Sequence, residues 1–306
     1  MGDRMTDFER LKARSRTTAE LRRLSAATDV IEKKHLESKV QAALSSIGAK
    51  TLANKIARCT RGRVCSSVYC RKCRNTAVGR FEKRLLNRLQ VTLKRVNDDR
   101  RRRSSLYDEG YLDQWMYLTV LCDVVDFKLK SVNRAVDDAR SVLNRFQKKF
   151  ERAWVHGAFE FELVDLDDLR AMEGDASVKK QTLLAMMDND LVRFRGKKIL
   201  VHYHAVVDRT DHDVPEMRKW FSGNYDKHQR QVELKFTRSD QAASTKIWKL
   251  ASYGFKNRLQ YNTSFETRGY ETGAFFANKD AGRLIKLYQD FNGLSSIKRL
   301  LISIGK

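Results

Sequence analysis

His202 and His204 stand two residues apart inside the apolar run Lys198-Ile-Leu-Val-His-Tyr-His-Ala-Val-Val207. The run reads as a strand. Side chains on a strand alternate between faces, so both imidazoles project together while Val201, Tyr203 and Ala205 face the other way. Two neutral imidazoles on one face can converge on one cation. Taken alone, a His-x-His pair is more often two partly buried histidines satisfied by neighbours. The stretch Gly157-Ala-Phe-Glu-Phe-Glu-Leu-Val164 supplies a third partner, because Glu160 and Glu162 share one face and Phe159, Phe161 and Leu163 the other. A carboxylate beside two imidazoles completes a ligand set and leaves positions open for water and a substrate oxygen. The plainer reading of that strand is a solvated acidic face. Two histidines and a carboxylate also form the facial triad of non-haem iron oxygenases, so the donors do not by themselves name a reaction.

A second chemical signal is Leu250-Ala-Ser-Tyr-Gly-Phe-Lys256, whose pattern is helical. Three residues apart on a helix, Tyr253 and Lys256 are neighbours. A phenol is a poor nucleophile at its usual pKa, and a nearby ammonium favours the phenolate. A core tyrosine beside a surface lysine is the bland alternative. A third signal is Cys59-x5-Cys65-x4-Cys70-x2-Cys73, with Cys122 alone in a distant apolar run. Clustering of this kind favours a structural zinc site over a disulfide framework, which would spread its cysteines through a small secreted domain.

The elements that must carry these groups follow from periodicity. Residues 5–57 read as helices, with a break at Ser45-Ser46-Ile47-Gly48. Thr76 to Val96 carries Phe81, Leu85, Leu86, Leu89, Leu93 and Val96 at helical spacing, and this helix ends near Arg100–Arg103. Met116-Tyr-Leu-Thr-Val-Leu-Cys122 reads as a buried strand, Val132 to Trp154 as a long helix, and 157–164, 198–207 and 232–236 as strands. Helices are expected near 179–191, over Thr245 to Leu259, and over Ala281 to Ile304. That order suggests an α+β fold, an antiparallel sheet with helices on one face. The expected organisation is a helical, cysteine-bearing region over 1–104, the α+β domain over 105–262, and a helical tail packed on it over 263–306.

The charge selects among functions. The chain has 61 Lys and Arg against 38 Asp and Glu, a formal net charge of +23 in 306 residues. A field of that sign concentrates polyanions and favours nucleic-acid phosphates. It argues against the oxygenase. Arg58, Arg61, Arg63, Arg71, Lys72 and Arg74 surround the cysteines and are candidate DNA contacts. Arg100–Arg103 and Lys179, Lys180, Arg193, Arg195, Lys197 and Lys198 are further candidates, although a solvated charged face is the commoner role of any one run. Trp220, Phe221 and Tyr225, read as a loop beside Arg218 and Lys219, offer a platform for stacking unpaired bases, with ordinary packing as the alternative. No apolar run reaches transmembrane length and Met1 to Arg23 is charged throughout, so no membrane partner and a cytoplasmic, prokaryotic location are expected.

In order, Tyr117-Leu-Thr-Val-Leu, Gly157-Ala-Phe-Glu-Phe-Glu162, Val201-His-Tyr-His-Ala-Val-Val207 and Tyr253-Gly-Phe-Lys256 resemble the motifs of HUH-type endonucleases, above all the single-tyrosine initiators of rolling-circle plasmid replication. The resemblance covers about residues 115–262. It implies that His202 and His204 are paired ligands of a catalytic Mg²⁺ or Mn²⁺, with Glu162 the acidic ligand and Glu160 the alternative. Phe159 stands where the family often carries arginine, which keeps Glu160 in play. Tyr253 would be the nucleophile and Lys256 its basic companion, leaving a 5′-phosphotyrosine link and a free 3′-hydroxyl. A two-tyrosine version would place its second tyrosine at Asn257, so one nucleophile is expected, with Tyr261 in reserve. The implied partners are single-stranded or hairpin DNA at a replication origin, with host polymerase and helicase. A similar cysteine cluster often precedes the nuclease motifs in related plasmid and transposon proteins. Transposases share the chemistry and stay open as an alternative, as does a non-catalytic zinc-containing nucleic-acid-binding protein. Relaxases usually place the tyrosine before the histidine pair.

Overall fold

The computed structural model describes residues 37–60, 62–102, 115–167, 183, 196–210, 212–225, 232–236, 251, 276–293 and 296–305. The chain runs through helix α1 (37–46), α2 (Lys50–Ala57) and α3 (Arg71–Arg102), then β1 (Trp115–Val125) and α4 (Leu129–Lys149). It continues through β2 (Trp154–Asp165), β3 (Lys197–Asp208), α5 (Val214–Tyr225), β4 (Val232–Phe236) and α6 (Asn278–Asn292). A 3₁₀ turn (Ser296–Leu300) leads into β5 (Leu301–Ile304). The helices expected near 179–191 and over 245–259 lie outside the described residues.

The five strands form one sheet in the order β4-β1-β3-β2-β5, and every pairing is antiparallel. The two strands that carry the chemistry, β2 and β3, are therefore adjacent and central. Register places Glu160 opposite His202, Ala158 opposite His204 and Gly157 opposite Ala205. A side chain at 157 is excluded, because a Cβ there would sit 2.2 Å from the His204 carbonyl oxygen. Gly157 is thus what lets β2 close on β3 beside the histidine pair.

Strand alternation divides the sheet faces as expected. Phe159, Phe161, Val201, Tyr203 and Ala205 are buried on one face. Helix α4 covers it with Val132, Ala135, Val136, Ala139, Leu143 and Phe146, a stripe at helical spacing. Lys148 and Lys149 in its last turn complement the helix dipole. Phe146 in turn stacks on Phe221 of α5, ring centroids 4.7 Å apart.

Helices are not confined to that face. Helix α3 crosses the face that bears the histidines: Phe81 packs on His156 at 4.2 Å, and Arg88 lies over the Trp154 ring. The anchor is Asp208, fully buried, which accepts from Arg88 Nε at 2.7 Å, Thr92 Oγ1 at 2.8 Å and Arg95 Nη2 at 3.1 Å. Removing one partner from such a buried network costs about 3–5 kcal/mol, because a charge is left uncompensated. The one-face arrangement gives way because α3 carries its own apolar stripe, Phe81, Leu85 and Leu89, and must bury it.

The helix expected over 281–304 stops at Asn292, where Gly293 takes φ +58, and the chain returns as β5 on the outer edge of β2. Ile302 and the alternating burial of β5 carry a strand period that is too short to read against the preceding helix. β5 pairs only Val155 to Ala158. Past its end, the Tyr288 hydroxyl of α6 takes over the ladder, accepting from the Phe161 N–H at 2.6 Å and donating to its carbonyl at 3.0 Å. One apolar core runs without a break from Val40 through the cysteine segment and the sheet to Ile302.

Candidate metal centres

His202, His204 and Glu160 are all nearly inaccessible, at 4%, 6% and 7% exposure. Their donor atoms converge. Glu160 Oε2 lies 3.6 Å from His202 Nε2 and 3.5 Å from His204 Nε2, longer than ordinary hydrogen bonds. Donors held about 2.1 Å from one cation stand about 3.0 Å apart at right angles and about 3.4 Å apart at tetrahedral angles. The three groups thus fit a shared ion with an adjustment of a few tenths of an ångström, and they form one of two donor clusters among the described residues that could hold a metal.

Electrostatics agrees with a ligand role. Burial, the largest influence on the Glu160 carboxyl, pushes its pKa up, but His202 and His204 outweigh it and hold it below the ordinary range. The carboxylate is therefore anionic at neutral pH, as a ligand must be. Thr119 lies directly across the ladder from His204, and its hydroxyl meets the imidazole Nδ1 at 3.0 Å. Holding Nδ1 leaves Nε2 to face Glu160 and fixes the ring plane. Tyr117 stacks on the same ring, nearly parallel at 5.9 Å. Neither residue stands out in the sequence, because cross-strand register decides which β1 residues reach the imidazole.

Of the two glutamates, Glu160 is the one that groups with both histidines. Glu162 Oε2 lies 3.7 Å from His202 Nε2, with its side chain 24% exposed against 10% for Glu160. The reason is register: Glu160 pairs with His202, whereas Glu162 pairs with Leu200, one step further from His204. Tyr253, Lys256 and Tyr261 lie outside the described residues.

The second cluster is Cys59, Cys65, Cys70 and Cys73, all buried, with their sulfurs within 4.8 Å of one another. Cys73 Sγ stands 3.6 Å from Cys59 Sγ and 3.5 Å from Cys65 Sγ. A disulfide needs about 2.05 Å. Thiolates at about 2.3 Å from one tetrahedral zinc stand about 3.8 Å apart, so the set fits zinc. The Cys65 N–H donates to Cys59 Sγ at 3.4 Å, and Ser66 takes the left-handed φ of 61° that folds the loop back. Hydrogen bonding within the set pushes the Cys70 thiol down and the Cys65 thiol up. The C-x-x-C half closes because Cys73 sits in the first turn of α3, which begins at Arg71, five residues earlier than the apolar pattern indicates.

This chain matches no protein-family model, no curated protein and no solved structure.

The basic candidates sort by what they touch. Lys72 Nζ donates to the Cys59 carbonyl at 2.9 Å and so braces the cysteine loop. Arg63 is exposed, Arg71 and Arg74 are partly exposed, and Arg61 lies outside the described residues. Lys197 and Lys198 are occupied by carboxylates, Asp280 at 2.6 Å and Asp126 at 2.7 Å. The base-stacking platform is not a loop: Trp220 and Phe221 sit on α5, Phe221 fully buried and Trp220 against Phe146. Packing against α4 accounts for Phe221, whereas Trp220 is only partly buried. No described helix is long and apolar enough to cross a membrane.

Proposed function

We propose that this protein is a metal-dependent DNA-nicking endonuclease of the HUH type, an initiator of rolling-circle replication. The observation that carries the reading is the convergence of Glu160 with His202 and His204 on one face of an antiparallel sheet, in a chain of net charge +23. His202, His204 and Glu160 would hold Mg²⁺ or Mn²⁺, which polarises a scissile phosphate when bound. Thr119 keeps His204 turned toward that site. From the resemblance, the Tyr253 oxygen attacks phosphorus, the bond from phosphorus to the 3′ oxygen breaks, and the proton ends on the departing 3′-hydroxyl. Lys256 stabilises the phenolate that attacks. The cysteine cluster would hold zinc and present Arg63, Arg71 and Arg74 to DNA phosphates, with origin DNA and the host polymerase and helicase as partners.

The test is a covalent adduct. Labelled single-stranded or hairpin DNA from the protein's own replicon, incubated with Mn²⁺, should become linked to the chain. Tyr253→Phe, His202→Ala and chelator should each abolish the link. The cysteine cluster favours one other reading, a non-catalytic zinc-containing nucleic-acid-binding protein. Tight binding with no adduct on any hairpin, unaffected by Tyr253→Phe, would select it.

A further inference from the structure

The cysteine loop, the first turns of α3, and the 3₁₀ turn with the start of β5 enclose a cavity of about 750 Å³. Its size is that of a small-ligand site. The lining divides in two. Val64, Ala77 and Leu301 give it an apolar wall, and Lys72, Arg80 and Lys298 bring three cations. No carboxylate lines it. Lys72 and Arg80 stand eight residues apart on α3, two turns along one side, and Lys298 joins them from the far end of the chain. Among the described residues neither Arg80 nor Lys298 makes an ion pair, whereas Lys286 meets Asp290 and Lys197 meets Asp280. Like charges gathered without a counter-charge repel, and an anion among them relieves the repulsion. Val64 is 55% exposed, and only Val91 is another large apolar side chain left so open among the described residues.

A ligand that satisfies both halves of this lining joins an anionic group to an apolar ring within a few bonds. A nucleotide does so. The formal charge of +23 selects a polyanion built of such units over a lone anion. Only an unpaired strand can turn a base toward a protein wall, because duplex bases are stacked and paired. We propose that this cavity is a second nucleic-acid site, sharing no residue with the His202–His204 centre, and that it lodges one unstacked nucleotide of a single strand. The phosphate lies among Lys72, Arg80 and Lys298, and the base or sugar lies against Val64. Lys72 is steadied there by the Cys59 carbonyl. The C-terminal turn thereby joins the DNA-binding surface, which the basic residues around the cysteines do not suggest. This rests on the nucleic-acid part of the proposed function and not on its metal chemistry.

Fluorescence anisotropy of a labelled oligothymidylate tests it in the full-length protein, at several salt concentrations and without added Mg²⁺ or Mn²⁺. Each lost phosphate contact should make the slope of log affinity on log salt shallower by about 0.7. Arg80→Gln combined with Lys298→Gln should therefore change the slope by about 1.4 and weaken binding severalfold. Val64→Ser should weaken binding severalfold and leave the slope alone, since an apolar contact releases no counterions. Lys130→Gln combined with Arg134→Gln is the comparison: it removes the same charge from exposed positions of α4 away from the cavity, and should leave both quantities near wild type. An unchanged slope in the Arg80 and Lys298 variant overturns the proposal, as does an equal change in the α4 variant, which would mark the general field of the chain. A loss that tracks lost zinc overturns it too, and wild-type affinity in Val64→Ser overturns the lodged base. Oligothymidylate binding that holds while binding to phosphatidylserine vesicles is lost would assign the cavity to a lipid surface instead. Wild-type protein that binds no oligothymidylate would overturn the nucleic-acid reading itself, and this inference with it.

Discussion

Thr119 faces His204 across the β1–β3 ladder, and its hydroxyl holds the imidazole Nδ1 at 3.0 Å. That contact fixes which ring nitrogen is left to face Glu160, so a residue with no metal-binding chemistry of its own sets the donor geometry. Thr119→Val keeps the shape and the β-branching but removes the hydroxyl. Mn²⁺ binding should weaken about tenfold with the fold intact, which calorimetric titration alongside circular dichroism would measure. Unaltered affinity would show that the stack with Tyr117 is enough to hold the ring.

The two glutamates separate by register, and their substitution should separate too. Glu160→Gln removes the charge that touches both imidazoles, and Mn²⁺ affinity should fall at least tenfold. Glu162→Gln should cost less, because Glu162 is more exposed and stands outside the group formed by Glu160 and the two histidines. The reverse ranking in a titration would restore Glu162 as the principal ligand.

For the cysteine cluster the expectation is one zinc per chain, measured by elemental analysis. Cys73→Ser should lose it, since Cys73 is near two of the other sulfurs. Cys122→Ser should keep it. Loss of about 3 kcal/mol in a chain of this size would lower the melting temperature by about 6–12 °C. Full zinc content in Cys73→Ser would rule out the four-sulfur site.

His156 is fully buried between Phe81 and Trp154. Burial lowers its pKa from 6.5 to about 4. Between those values the unfolded chain binds a proton that the folded chain refuses, so stability falls as pH drops from about 6.5 to about 4 and levels off below. The contribution is up to about 3 kcal/mol. Denaturation midpoints at pH 7, 5.5 and 4 for wild type and His156→Leu would expose it as a difference in slope. Parallel slopes would mean that carboxylates alone set the acid limit.

Much of the histidine centre is legible in the residues. Period-two alternation in 157–164 and 198–207 places each strand's histidines or glutamates on one face. What alternation cannot supply is register, which depends on how β2 slides against β3, and that is why Glu162 leads on paper and Glu160 in space. Thr119 is hidden for the same reason. The cysteines are legible as a cluster, but Tyr69 within it reads as one more loop residue until the loop is seen entering the core. Phe221 misleads because nearby Arg218 and Lys219 suggest a surface, whereas its place on a helix against Phe146 buries it and leaves Trp220 partly exposed. The C-terminal strand is four residues long, too short to declare a period against a preceding helix.

That short strand has a bearing on handling the protein. β5 is donated from far along the chain and shields the β2 edge from Val155 to Ala158, while Tyr288 stops the ladder at Phe161. A variant truncated before residue 301 would bare that rim of peptide groups beside buried apolar side chains. Such a rim recruits strands from other copies, so truncation would show first as poor solubility and only afterwards as lost activity.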